Sequence, residues 1–201
     1  MQPNGWEILM KHDNTETNKS NPIIDDVDVT GDTLTSRAGL SLFARYVSGI
    51  ALYPYLEGLF GKIRRSRKGQ DITEIFKQLF CFFMDGTSRH MSYFDHLKTD
   101  EGYAGSIETK PGNMLSSHAV KRFFGAIWLP WTFFFRRVLQ RLFLWRLLMV
   151  KPAVIELGLD TMVMDNDEAE RRHGVKPTYK KVKGFQPLQM TWGRFIMDAI
   201  F

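Results

Sequence analysis

Cysteine is almost absent from the chain: Cys81 is the only one in 201 residues. A single thiol cannot close an internal disulfide, so the fold must hold through its own core, as suits a reducing compartment. Phe80 and Phe82 flank Cys81. That setting suggests a buried thiol rather than a nucleophile. Clustered metal ligands are also lacking. His90, Asp95 and His96 lie close together, but their spacing matches no common zinc pattern and no further His or Cys cluster completes a set. A secretory leader is missing, since no basic start runs into an apolar segment of the needed length. The chain also lacks an uninterrupted long apolar run. Residues 127–150 come nearest, yet Arg136, Arg137, Arg141 and Arg146 fall within them. At mid-membrane depth these arginines would cost on the order of 10 kcal/mol, against about 0.3–0.6 kcal/mol returned by each apolar residue. The stretch therefore reads as a buried amphipathic helix, with Pro130 in its first turn and Arg137 and Arg141 on a polar edge. An interfacial membrane helix is the weaker alternative.

What is present is ordinary globular material with a basic bias. Hydrophobic residues make up 44% and charged residues 24%, enough for one or two domains with a sizeable core. The net charge is +5 and the isoelectric point near 9.3, which suits a polyanionic partner. The charge is unevenly spread. Residues 1–30 carry six acids, including Asp25, Asp26 and Asp28, against Lys11 and Lys19, a formal −4 that leaves +9 on the remainder. Their Asn, Thr and Asp content and lack of periodicity predict a disordered acidic tail.

From Ser36 the apolar pattern becomes helical, with Leu40, Phe43, Ala44 and Val47 on one face. Tyr53-Pro54 interrupts it, and a short helix is expected to end at Gly61. Lys62, Arg64, Arg65, Arg67 and Lys68 then place five basic residues in seven positions. Such a run is either a solvated loop or a phosphate contact. Asp71 and Glu74 predict a capping box, and a core helix with Ile75, Leu79, Phe82 and Phe83 inward follows, stopped by Asp85-Gly86. Tyr93, Phe94 and Leu97 suggest another amphipathic helix. Ser116 or Ser117 can cap a helix that buries Val120, Phe123 and Phe124 while carrying Lys121 and Arg122. That capped basic helix is either a plain surface helix or the recognition element of a helix-turn-helix.

At Lys151-Pro152 the pattern turns strand-like. Ile155, Leu157, Leu159, Thr161 and Val163 share one face, and Gly158, Asp160, Met162 and Met164 the other. The segment predicts a buried strand with a carboxylate, Asp160, near its middle. A buried carboxylate needs a partner, either a hydrogen-bonded loop or a hard cation such as Mg²⁺. Asp165 to Gly174 reads as a charged turn whose acids could recruit a metal. Lys176, Lys180, Lys181 and Lys183 line a second segment from Tyr179 to Leu188, and Met190 to Phe201 reads as a third strand.

Several separated words resemble the DDE transposases of bacterial insertion sequences. They are Leu157-Gly-Leu-Asp-Thr-Met-Val-Met-Asp-Asn-Asp-Glu-Ala169 and Thr178-Tyr-Lys-Lys-Val-Lys-Gly-Phe-Gln-Pro-Leu-Gln189, preceded by Gly31-Asp-Thr-Leu-Thr-Ser-Arg-Ala-Gly39, Thr73-Glu-Ile-Phe-Lys-Gln-Leu-Phe80 and Ser116-Ser-His-Ala-Val-Lys-Arg-Phe-Phe124. The resemblance spans residues 31–201 and lies in the order of the words rather than in any one of them. It implies an α+β chain: an all-α domain over 31–150 for DNA binding or dimerisation, then the first antiparallel strands of a truncated RNase H-like domain over 151–201. Asp160 matches the family's first catalytic acid, which with two later acids would hold Mg²⁺ ions roughly 4 Å apart. Those two acids are expected beyond the third strand, so the site is expected to be incomplete here. Asp198 does not match the second acid. The resemblance further implies DNA, specifically element ends, as partner, with a second copy or an intact transposase chain as another, and a bacterial cytoplasmic, nucleoid-associated setting without a membrane. The DNA-contacting candidates are Lys62, Arg64, Arg65, Arg67, Lys68, Lys121, Arg122, Lys180, Lys181 and Lys183. The alternative is a non-catalytic DNA-binding or dimerising product that modulates an intact transposase.

Neutralising Lys121 and Arg122 one at a time tests the recognition-helix idea. Each change should weaken duplex binding at low salt in a gel-shift titration, and unchanged affinity would remove it.

Overall fold

The computed structural model describes residues 31–63, 69–168 and 174–200. Leu34–Phe201 form one compact unit of α+β type. Its helices come first: α1 Gly39–Gly49, α2 Leu52–Phe60, α3 Ile72–Asp85, α4 Phe94–Leu97, α5 Glu101–Ser106, α6 Ser117–Gly125 and α7 Leu129–Val150. Strands β1 Gly158–Thr161, β2 Met164–Asp165, β3 Lys176–Pro177, β4 Lys183–Phe185, β5 Leu188–Trp192 and β6 Phe195–Ile200 follow.

The helices form because their apolar residues recur at helical spacing and their ends are marked. In α1, Leu40, Ala44 and Val47 face the core, as expected. Ala51, left-handed at φ 55°, separates α1 from α2. Pro54 does not precede α2 but sits inside its first turn, where its missing N–H costs nothing. Asp71 is the N-cap of α3, but the capping box is not closed. The Glu74 carboxylate is engaged elsewhere, by Lys77 at 3.0 Å, Gln78 Nε2 at 3.1 Å and Thr109 Oγ1 at 2.5 Å. Gly86, with φ 65°, ends α3 in the left-handed conformation that favours glycine.

The core centres on Phe60, which is fully buried. Its ring lies 5.2 Å from Phe76 of α3, 6.0 Å from Trp131, 6.0 Å from Phe134 and 4.6 Å from Phe135 of α7. Ile75, Phe76, Leu79 and Phe82 of α3 are buried, as is Cys81, whose thiol burial pushes up to about 11. Phe83 and Phe124, expected inward, are instead 59% and 39% exposed. Each directly follows a buried phenylalanine, and adjacent helical positions lie about 100° apart, so both cannot face one core.

Polar side chains tie the layers together. Arg37 donates to Asp85 at 3.0 Å, Asp100 at 2.9 Å and Tyr93 at 3.1 Å, joining the entrance of α1 to three later segments. Asp100 also caps α5 by accepting from the Tyr103 amide at 2.8 Å. Buried Gln78 accepts from the Leu115 amide at 2.8 Å and donates to the Asn113 carbonyl at 2.9 Å, which fastens the loop before α6 onto α3.

The expected burial of α7 requires correction. Its packing on the core runs only as far as Leu142, with Val138 buried, while Leu144, Leu148 and Met149 near its end are exposed. Arg141 does not simply face water but lies over the Tyr55 ring at 4.4 Å. No helix among the described residues is long and apolar enough to cross a membrane. Lys151, left-handed at φ 47° before Pro152, ends α7.

The strands build two small antiparallel sheets, ordered β1-β5-β6 and β2-β4-β3. The expected third strand is two strands, because Gly193 at φ 57° and Arg194 turn the chain between Trp192 and Phe195. The expected second segment is likewise divided, between β4 and β5. In β4, a Cβ on Gly184 would collide with the Met164 carbonyl oxygen, so only glycine fits.

Phe60→Ala should lower stability by about 3–5 kcal/mol in urea denaturation, whereas Phe133→Ala, on the exposed side of α7, should stay within about 0.5 kcal/mol.

Candidate functional site

Asp160 lies within β1, a four-residue strand that pairs on one side with β5. The expectation of a buried strand is not met. Gly158, Leu159 and Asp160 are exposed, and residues 153–157 before them are exposed and irregular. The reason is that β1 pairs with one strand and is covered by no helix among the described elements. Water therefore solvates the carboxylate, and its Oδ1 accepts from the Thr161 amide at 2.7 Å.

Register decides which acids can act together. Asp160 stands opposite Gln189, which stands opposite Ala199. Leu159, Met190 and Asp198 form the next row. Adjacent rows point to opposite faces of a sheet. Asp198 thus faces α7, where both its oxygens take hydrogen bonds from Arg136, at 2.7 Å from Nε and 2.5 Å from Nη2. These hydrogen bonds hold the Asp198 carboxyl below the usual carboxylate range, despite its partial burial. Asp160 and Asp198 cannot share one ion.

The described part of the charged turn after β1, residues 165–168 and 174, does not gather acids for a metal either. Asp165 accepts from the Asp167 amide at 2.9 Å, and Asp167 accepts from the Lys183 amide at 3.1 Å, so both brace the turn. Among the described residues no three His, Cys, Asp or Glu side chains converge on one point. The described donor set does not fit a two-ion Mg²⁺ site.

The chain matches no family model, no curated protein and no solved structure.

The basic candidates fall into separate places. Arg64, Arg65, Arg67 and Lys68 lie outside the described residues, as do the first 30. Lys62 is exposed just after α2. Lys180 and Lys181 form the turn between β3 and β4, with Lys181 at φ 62°, and Lys183 begins β4, so one hairpin presents all three. Lys121 and Arg122 are exposed on α6. Ser116 caps that helix by accepting from the Ala119 amide at 3.2 Å.

Arg122 borders a cleft of about 710 Å³ that the sequence did not announce. Lys98 and Trp128 stand on the same cleft, and Ile63 and Gly69 line it as well. Nothing in the local spacing of Lys98 or Trp128 signals this, because the cleft closes between residues far apart in the chain. Nearby, Asp95 accepts from the Ser117 amide at 2.9 Å and its hydroxyl at 2.6 Å. Those bonds hold its carboxyl below the usual range, helped by Lys121 and Lys98. His90 and His96, the neighbours of Asp95 in sequence, are both exposed.

The Asp198 pairing has a pH signature. A carboxyl whose folded pKa is depressed contributes stability above its unfolded value near 3.9, lost as pH falls through the folded value. Asp198→Asn should therefore be less stable than wild type at about pH 6, with the gap closing as pH falls below the usual carboxylate range in parallel urea titrations.

Proposed function

We propose that this chain is the N-terminal portion of a DDE-type transposase, able to bind DNA but lacking the acids for strand cleavage. One observation carries the reading. The family-like words around Asp160 and Lys181 fall on β1 and β2 and on β4 and the start of β5, and β1 and β5 pair in the antiparallel order β1-β5-β6. That order suits the opening strands of an RNase H-like sheet, with Asp160 part-way along the first. The solvent-facing position of Asp160 leaves room for further ligands, and the exposed Leu157, Leu159 and Met164 suit a sheet edge that other strands would cover.

With one candidate acid on its face of the sheet, the described chain assembles no reaction centre, so the activity supported here is binding. Exposed cations on α6 and on the β3–β4 hairpin supply the chemistry for phosphate contact. A second reading keeps the binding and drops the descent: a non-catalytic product that pairs with element ends or with an intact transposase. The failure of the described acids to converge favours it.

Two measurements test these readings together. Duplex affinity of the purified chain, followed by fluorescence anisotropy across a salt series, should fall with a log–log slope of about 0.9 per phosphate neutralised. Supercoiled plasmid incubated with the chain and Mg²⁺ should stay intact. Absence of duplex binding at low salt would remove both readings, and nicking would overturn the catalytic incompleteness. Sequencing the locus downstream separates the two: further strands with two acids support transposase descent, and unrelated sequence supports the non-catalytic product.

A further inference from the structure

We infer that the β3–β4 hairpin enters the major groove of duplex DNA, with its lysines on the phosphates of both walls and Tyr179 toward the bases. The inference rests on the DNA-binding part of the proposed function and assigns it an element, a groove and a docking mode.

The hairpin is a defined ribbon. Lys176 stands opposite Gly184 and Pro177 opposite Lys183. One step nearer the tip, the Thr178 amide donates to the Val182 carbonyl at 2.9 Å, and the Lys181 amide donates to the Thr178 carbonyl at 3.0 Å. The Thr178 hydroxyl adds a bond to the Val182 carbonyl at 2.8 Å. Tyr179, Lys180 and Lys181 are therefore a three-residue loop, a length whose last residue is commonly a left-handed glycine. Here that residue is Lys181, at φ 62°. A position that glycine would fill at least cost holds a cation instead.

Register spreads the cations over the ribbon. Paired residues share a face of a ladder and successive residues alternate, so Lys176 and Lys183 project from opposite faces. Lys180 and Lys181 occupy the tip between them. All four are exposed, and none is in an ion pair with a described residue. Tyr179 is 62% exposed beside them, with the Lys180 ammonium 6.0 Å from its ring centre. β2 pairs only with Gly184 and Phe185, so Asp165 sits at the base of the ribbon and the tip extends past it. Asp167 accepts from the Lys183 amide, which makes Lys183 the most offset of the four charges.

Cations on both faces select the partner. A flat anionic surface, such as a lipid bilayer, meets one face of a ribbon and leaves the other in water. A groove with phosphates along two walls meets both. The major groove of B-DNA is about 12 Å wide and admits a two-stranded ribbon, whose strands are about 4.8 Å apart before side chains are added. The major groove of duplex RNA is too deep and narrow for side chains to read. At the floor of the DNA groove an exposed aromatic ring meets the thymine methyl groups.

A labelled DNA duplex is titrated by anisotropy across a salt series, and the melting temperature of every variant is measured beside it. Lys180→Gln and Lys181→Gln should each lower the log–log salt slope by about 0.9 with melting unchanged. Lys181→Gly should lower the slope equally while melting no lower than wild type, because glycine suits φ 62°. That variant separates lost charge from lost folding. Tyr179→Ala should weaken binding and leave the slope unchanged. A duplex whose cytosines carry glucosylated hydroxymethyl groups at C5, which fill the major groove, should bind roughly tenfold more weakly or worse. Unchanged slopes in both glutamine variants, equal affinity for the glucosylated duplex, or equal affinity for an RNA duplex of the same sequence would overturn the inference. Binding to phosphatidylserine vesicles as tight as to the duplex would also overturn it. Wild-type chain that binds duplex with a slope these variants do not alter overturns this inference alone, and chain that binds no duplex overturns the proposed function with it.

Discussion

The burial of Phe60 is the constraint on which the rest of the helical layer depends. Its ring, at the end of α2, is the place where α3 and α7 meet, through Phe76 on one side and Trp131, Phe134 and Phe135 on the other. Aromatic rings at these separations add to the gain from their buried area by the tilted and edge-on geometry they adopt. Because α7 is anchored on the core only as far as Leu142, its last two turns are free to leave it. They do so carrying Phe143 to Trp192, at 5.9 Å, and Arg146 to Phe195, at 3.8 Å. The sheet is thus positioned by the same helix that Phe60 holds, and the register that aims Asp160 away from α7 follows from that docking.

Charge then fixes what apolar packing leaves loose. Arg37 binds Asp85, whose side chain is only 8% exposed. A carboxylate so placed has lost much of its hydration and needs a hydrogen-bonding partner, and the guanidinium fork also reaches Asp100 and Tyr93 from one position. The α7–β6 contact repeats the device with Arg136 and Asp198. In both places an arginine at the margin of an apolar surface sets the angle between elements, where hydrophobic contact alone would tolerate several. These pairs sit away from the cleft and from Asp160, so the cations best able to meet an outside anion are the ones the fold does not use internally.

Much of the helical layer was legible in the sequence because its signals are local. The Ser116 cap, the Gly86 stop, the Leu40-Ala44-Val47 face and the Pro130 start each depend on residues within a turn or two, whereas the capping box expected of Asp71 and Glu74 fails because Glu74 is drawn to Lys77, Gln78 and Thr109. The strand region was less legible. A run such as Ile155 to Val163 reads as buried only if something covers it, and coverage is a long-range property. Period-two alternation also continues smoothly across Gly193, so the hairpin there was hidden by the pattern on either side. The resemblance around Asp160 pointed to a residue but not to its surroundings. Arg37, Lys98 and Trp128 gave no local sign at all, because their roles arise from segments tens of residues apart.

The two carboxylates of the main sheet show how register constrains chemistry. Asp198 is nearly spent: Arg136 takes both its oxygens and the helix covers its face. Asp160, one row away and on the opposite face, keeps an oxygen that no described donor occupies and lies open to water. A hard divalent cation needs several oxygen ligands arriving from different directions. On an open sheet face those ligands must come from chain lying over that face, since neighbours in the Asp160 row are Gln189 and Ala199. Any metal chemistry at Asp160 therefore requires oxygen donors brought by a segment that packs on the side away from α7. The helical layer and its cleft bear no such requirement, since their core is already closed around Phe60. The exposed cations of α6 are thus physically separable from any chemistry at Asp160.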